Sequence, residues 1–271
     1  MLAKIIIKIF EKIMKPLQSK LNHQWIFENL FGIALTGMNI GQGADSDNNG
    51  EIFVVKYIKE KTKEANKLII FDVGANIGEY TLLLNKYFDN KNAKIFSFEP
   101  SKKSFNELCL NTKEMKNLKI FNIGFGEKEH IAVLFSDKEG SSLSSLYKRK
   151  LDHFGVQMET EETVEIETID DFCLKNSIGR IDFLKLDAEG NEFQILKGAG
   201  NMINSGKIDF IQFEFGGCNI DSKTYFQDFY YLLNPRYQIY RILKDSLFPI
   251  KKYRETNEIF LTTNYLAAKR Q

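Results

Sequence analysis

No Cys-x-x-Cys pair occurs in this chain, and its three cysteines (Cys109, Cys173 and Cys218) stand far apart. An odd, scattered set of thiols speaks against a disulfide framework and a structural zinc site, and fits a reducing, cytoplasmic compartment. A charge excess is missing too. Lys and Arg number 37 against 36 Asp and Glu, a net charge of +1, which argues against a nucleic-acid partner held by a broad basic field. No apolar run is long enough for a spanning helix, and no small-residue cleavage site follows the N-terminal apolar stretch. Neither a transmembrane anchor nor a secretory signal is expected. Internal repeats and low-complexity tails are absent. Histidine is rare, and His23, His130 and His153 are the full set. The first two read as surface residues, and His153 has a claim on chemistry only if its loop folds over an acceptor.

What the chain does have is 271 residues that are 43% apolar, enough for one large core with a small appendage. Aromatic residues make up 13%, mostly Phe interleaved with Ile and Leu, a pattern of core filling rather than base stacking. The appendage is residues 1–48. In MLAKIIIKIFEKIMKPLQSKL, Leu2, Ile5, Ile6, Ile9, Phe10 and Ile13 fall on one helical face and Lys4, Lys8, Lys12 and Lys15 on another. Such a helix either packs on its own domain or a second subunit with its lysines solvated, which is the simpler reading, or lies on an anionic membrane surface through residues 1–21. A mixed segment (Trp25 to Ala34) leads into the Gly, Asn and Asp-rich loop 37–50. There Asn48 or Asn49 is placed to cap a helix bearing Ile52, Val54, Val55 and Ile58.

From Lys67 onward strands and helices alternate, the pattern of a parallel sheet covered on both faces. Strands are expected at Leu68–Asp72, Lys94–Phe98, Leu118–Ile123, Ile181–Asp187, Ile208–Phe215, Gln238–Leu243 and Glu258–Thr262. Helices are expected at Gly78–Phe88, Ser101–Asn111, Glu192–Asn204 and Thr224–Leu233. The interval 124–180 is too long for a crossover and carries strand-like pieces of its own, Ile131–Phe135 and Val164–Thr168. It reads as a surface excursion or a lid over an acceptor.

Two constellations carry chemistry. In LIIFDVGANIGEYTLLL an apolar strand ends in Asp72-Val73-Gly74-Ala75-Asn76-Ile77-Gly78 and turns into a helix. One strand–helix unit later, IFSFEP stops at Glu99 and Pro100. A glycine turn lets the backbone approach a ligand, and an acidic residue ending the next strand suits two ribose hydroxyls. The G-x-G-x-x-G that would seat a pyrophosphate is missing, so S-adenosylmethionine fits better than NAD. Asp72 is placed to accept from its ammonium, and Asn76 to hydrogen-bond or to tolerate a left-handed turn. The second constellation is IDFLKLDAEG followed by IDFIQFEF. Side chains alternate along a strand, so Lys185 pairs in direction with Asp187, and Gln212 with Glu214. If the strands are neighbours, all four converge where α/β folds bind ligands; an ion pair stitching the strands is the plainer alternative.

DVGANIGEYTLLL, FSFEPSKKSFNELCLN, VEIETIDDF, IDFLKLDAEGNEFQILKGA and IQFEF, in this order, resemble the FkbM family of S-adenosylmethionine-dependent methyltransferases over about Asn49 to Asn264. The resemblance implies a class I methyltransferase fold (α/β, Rossmann-like), a seven-stranded, mostly parallel sheet with its last strand antiparallel. It implies O-methylation of sugars or polyketide hydroxyls. Asp72, Gly74, Asn76 and Gly78 would line the methionine side of the cofactor, with Ala75 in the same turn. Glu99 would bind the ribose, and Ser101 with the Ile123-Gly124 turn would flank the adenine, beside Pro100. Residues 49–271 would be the methyltransferase domain, with 124–180 inserted.

A sugar hydroxyl needs a base within hydrogen-bond reach. Asp187 is expected to serve, tuned by Lys185, with Glu214 and Glu189 behind it. No metal is expected, although nearby carboxylates keep that alternative open. The acceptor is read as a small molecule or glycan; Ser141, Ser142 and His153 are its expected polar contacts. Homo-oligomerisation stays open. A catalytically silent methyltransferase-like binding protein and an NAD-dependent oxidoreductase are the competing readings.

Overall fold

A computed structural model describes residues 2–43, 49–88 and 92–270; Asn48, one of the two expected caps, lies outside them. Its strands are β1 (Leu68–Val73), β2 (Ala93–Phe98), β3 (Leu118–Phe121), β4 (Gly124–Phe125), β5 (His130–Ser136), β6 (Thr160–Glu167), β7 (Ile181–Leu186), β8 (Ile208–Phe215), β9 (Tyr237–Ile242), β10 (Leu247–Pro249) and β11 (Thr263–Lys269). Its helices are α1 (Leu2–Met14), α2 (Gln24–Gly37), α3 (Glu51–Lys61), α4 (Glu79–Phe88), α5 (Lys102–Asn111), α6 (Ile169–Lys175), α7 (Glu192–Gly198), α8 (Gly200–Asn204), α9 (Cys218–Ser222) and α10 (Phe226–Leu233).

The main sheet runs β10-β9-β11-β8-β7-β1-β2-β3. β3, β2, β1, β7 and β8 are mutually parallel, and β11 is antiparallel to both β8 and β9. The chain lays down β1 to β3 outward and then crosses to β7 on the other side of β1. The carboxyl ends of β1 and β7 therefore frame a topological switch point, where open α/β sheets take their ligands.

Burial explains the alternation. β1 and β7 are buried at every position, as expected of central strands covered by helices on both faces. One face packs Phe71, Phe98, Phe125, Phe172 and Phe213. The other packs Val54, Val55, Ile58, Leu84, Phe88 and Phe183 under α3 and α4. The Phe-rich composition is thus core: Phe71 and Phe98 have ring centroids 5.0 Å apart, and Phe172 stands edge-on to Phe98 at 4.9 Å.

Four expectations need correction. The sheet has eight strands rather than seven, because β10 folds back on β9 as a short hairpin too brief to show alternation. The last strand is Thr263–Lys269, not Glu258–Thr262. Glu258 instead turns its carboxylate to the start of α10, accepting from the backbone N–H of Phe226 (2.8 Å) and Gln227 (2.9 Å), a capping role that leaves its own backbone irregular. The expected helix Glu192–Asn204 is two helices, α7 and α8, meeting at Ala199. Residues 124–180 build a second sheet, β4-β6-β5, around Leu134, Val164 and Ile166, rather than an irregular excursion.

α1 does not pack on its own domain, since residues 4–13 are exposed throughout. All three cysteines are free thiols. Among the described residues, no helix is long and apolar enough to cross a membrane.

Candidate active site

Three strand ends meet around one turn. The N–H groups of Gly74 and Ala75 both donate to the Phe98 carbonyl (2.9 and 3.0 Å), and the Asp187 N–H donates to the Val73 carbonyl (3.0 Å). Gly74 has φ +78°, and a Cβ there would overlap the Asp187 carbonyl. Only glycine lets the turn after β1 press against the exit of β7. Asn76 follows in the left-handed region at φ +47°, an arrangement Asn tolerates better than most side chains. Gly78 answers a different need. At φ +96° a Cβ there would stand 2.7 Å from Leu108 Cδ1, so this glycine admits the close packing of α5 against the turn.

Glu99 is 6% exposed. Its Oε2 accepts from the Asn76 N–H (2.8 Å) and its Oε1 from the Ser101 N–H (2.9 Å). Burial pushes its carboxyl up to about 7, with those two hydrogen bonds pulling the other way. Asn122 steadies the same strand end, donating to the carbonyls of Glu99 (2.9 Å) and Pro100 (2.8 Å).

Two recesses open at this junction and share Gly74, Asn76 and Asp187. The first is lined by Glu99, Pro100, Ile123, Gly124, Ser141 and Ser142. The second is lined by Glu51, Ala75, Glu79, Tyr80 and Lys185. The first side thus offers apolar walls (Val73, Phe98, Pro100, Ile123) with Glu99 at one end and Asp187 and Glu189 at the other, and the second a charged pocket. The Asn76 Oδ1 is buried there without a partner, an acceptor waiting for a donor.

Lys185 and Asp187 share a face as strand alternation requires. The Lys185 ammonium donates to Asp187 Oδ2 at 2.8 Å and lies 4.6 Å from the centroid of the Tyr80 ring. Burial opposes the lysine's charge. The carboxylates of Asp187, Asp72 and Glu51 outweigh it and hold the lysine above its usual range. Gln212 pairs across with Lys185 and accepts from the Tyr80 hydroxyl (3.0 Å). Lys185 and Asp187 do form an ion pair, but within β7 and its exit rather than stitching β7 to β8, and it is not sealed: the Asp187 side chain is 37% exposed and faces both recesses.

The turn after β7 is crowded with acids. Glu192, fully buried, accepts from the N–H of Ala188 (2.7 Å) and Gly190 (3.0 Å), and burial still lifts it to about 7. Glu189 sits at φ +48° and is raised to about 8 by burial and by Asp187, against the pull of Arg149 at 2.5 Å. Glu214 is raised well above the carboxylate range by burial and by Asp187, Glu189 and Glu192. Glu214 lines neither recess and is thus not brought to them with Asp187 as the strand pattern suggested. Among the described residues no three His, Cys, Asp or Glu side chains form a metal-holding group.

Three further expectations shift. Asp72 is 0% exposed; its Oδ2 accepts from the Thr81 hydroxyl (2.6 Å) while its Oδ1 is buried without a partner, so it sits beneath the turn and lines neither recess. Ser101 is 1% exposed and meets Glu99 through its backbone. His153 is exposed against Phe154 and lies outside both recesses.

Other site residues gave little sequence signal. Glu51 reaches the charged recess from α3, just beyond the 37–50 loop. Segment 141–149 straps the acidic turn: Ser145 Oγ donates to the Glu189 carbonyl (2.7 Å), the Tyr147 hydroxyl to Asn191 Oδ1 (3.3 Å), and Arg149 to the Glu189 carboxylate. These contacts span about 40 residues or more of chain, beyond the reach of any local pattern.

Residues 72–242 match the Methyltransferase FkbM domain. The chain belongs to this family. Among curated relatives, it is 23% identical over 172 residues to the hexuronic acid methyltransferase AglP of Haloferax volcanii, covering 63% of this chain and 65% of that protein. It is 28% identical over 155 residues to the methyltransferase sdnD of Sordaria araneosa, covering 48% of this chain and 59% of that one. The chain thus spans less than two thirds of the length of either relative. A solved FkbM methyltransferase from Methylobacillus flagellatus KT aligns at 18% identity and a TM-score of 0.43, over 74% of this chain and 44% of that one.

Proposed function

We propose that this FkbM family member is an S-adenosylmethionine-dependent O-methyltransferase whose acceptor is a sugar or glycan hydroxyl. The observation that carries the reading is the pair of recesses joined at Gly74–Asn76 and Asp187. A nucleoside fits the apolar side, with Glu99 placed for ribose hydroxyls and Pro100, Ile123 and Gly124 around the base. The amino-acid tail fits the charged side, where Lys185 answers a carboxylate and Glu51 and the free Asn76 Oδ1 answer an ammonium. When bound, the cofactor supplies a methyl group on a sulfonium centre.

The chain's own work is alignment and proton removal. Asp187 is exposed to both recesses and oriented by Lys185, so it is the group that accepts the proton of the acceptor hydroxyl as the new C–O bond forms. Ser141, Ser142, Ser144 and Asn191 give the acceptor side of the first recess hydrogen-bonding groups suited to a polyhydroxylated molecule. The sugar substrate in the name of the Haloferax volcanii relative supports the same class.

Calorimetry of the purified chain with S-adenosylmethionine and with NAD tests the cofactor; binding of NAD in preference overturns it. Asp187→Asn should keep S-adenosylmethionine affinity within a few-fold and lose roughly a hundredfold in turnover, a general base's usual share. Full turnover in that variant, or activity abolished by chelator and restored by magnesium, overturns the mechanism.

A further inference from the structure

Helix α1 has no place in the core. Ile5, Ile6, Ile7, Ile9, Phe10 and Ile13 are 49–64% exposed, and Met14 alone among the described side chains of the helix is buried. With 3.6 residues per turn, these apolar side chains sweep an arc of roughly 200°. Lys4, Lys8, Lys12 and Lys15 fill the opposite arc with Glu11, and all of them are exposed. Beyond Pro16 the apolar exposure continues through Leu21 (86%) and, on α2, Trp25 (63%), Phe31 (58%) and Ile33 (69%).

Isoleucines in such number on a free surface need a cover. A second copy of α1 would meet it along a seam, and helix–helix seams are narrower than this arc. Such a pairing would leave isoleucines wet and bring two lysine rows close together. A lipid surface covers the whole arc at once, and lysines at its two edges reach anionic headgroups while their stems stay apolar. From Lys4 to Lys20 there are five lysines against one acid, Glu11. Trp25 has the amphipathic ring favoured at headgroup depth.

We infer that α1 is an in-plane anchor that docks this protein on an anionic bilayer surface, with Leu21 and Trp25 extending the contact. The helix lies on the bilayer and does not cross it.

The test is co-sedimentation of the full chain with vesicles of phosphatidylcholine alone and with phosphatidylserine added. Partitioning onto the anionic vesicles is expected, weakening as salt rises. Ile6→Asp with Phe10→Asp should lower it at least about tenfold, since the insertion scales with buried apolar area. Lys8→Gln with Lys12→Gln should lower it about fivefold per lysine and blunt the salt dependence. Thermal unfolding should be unchanged in both variants, because Ile6, Lys8, Phe10 and Lys12 are all exposed. Equal binding to neutral vesicles, or no vesicle binding, overturns the proposal. So does a concentration-dependent dimer in sedimentation velocity that Ile6→Asp with Phe10→Asp abolishes, which would make a second copy the cover. None of these readouts involves methyl transfer, so they stand or fall apart from the proposed activity.

Discussion

In the proposed function Glu99 couples charge to binding. Its carboxyl sits near 7 because burial outweighs two backbone hydrogen bonds, whereas ribose hydroxyls are best accepted by the ionised form. S-adenosylmethionine affinity should therefore rise as pH climbs from about 6 to about 8. Glu99→Gln should flatten that profile and weaken binding by about 2 kcal/mol at the upper end; a titration series in which the two proteins keep parallel profiles contradicts the assignment. Gly74 makes a sharper demand. Gly74→Ala adds a methyl at φ +78° into the Asp187 carbonyl, and about 3 kcal/mol of stability should go with it in chemical denaturation. The glycine and Glu99 were both legible in the sequence, because a turn between strand and helix and the residue ending the next strand are local features. Asp72 was not. Its neighbours Thr81 and Lys185 come from α4 and β7, and only their packing reveals that the carboxylate is enclosed.

In the proposed function the exit of β7 and the strap over it form the acceptor side of the cleft. Strand alternation placed Lys185 and Asp187 on one face correctly, since period-two geometry needs no tertiary information. It gave no warning that Glu189 and Glu192 would fold back beside them, or that burial and their company would raise Glu214 above the usual carboxylate range. The strap is tied by Ser145, Tyr147 and Arg149 to that acidic turn. Arg149→Met removes the cation paired with Glu189, which then takes up a proton more readily. The strap should loosen. Acceptor KM is expected to rise about tenfold while S-adenosylmethionine affinity moves less than threefold, the signature of lost positioning on one side of the cleft. Equal losses for both ligands would mean that the whole cleft depends on the pair.

Acid groups raised together give the whole molecule a pH dependence of definite sign. Glu99 and Glu192 near 7 and Glu189 near 8, each from an ordinary 4.5, bind protons more readily folded than unfolded. Between about pH 5 and 8 the folded chain holds more protons, so stability falls as pH rises. Below about 4.5 both states are protonated and the difference vanishes. At about 1.4 kcal/mol per unit for each group, the combined effect is on the order of several kcal/mol. The ligand-free protein should unfold several degrees higher at pH 5.5 than at pH 8 in calorimetry. A flat or rising profile would show that these carboxyls are not held as described.

Residue order alone sufficed for the parallel α/β core, the glycine turn, the acidic strand end and the amphipathic start of the chain. Each is a periodicity or a punctuation within some thirty residues, where local geometry and solvent preference agree. Tertiary structure decided the rest. It sent Glu258 to cap α10 and so delayed the last strand, added β10, and turned the long interval into a second sheet. It brought Glu51 and Arg149 to the cleft and left α1 uncovered. These outcomes depend on which distant partner satisfies a buried polar group or an apolar face, and that choice is made only when the elements pack.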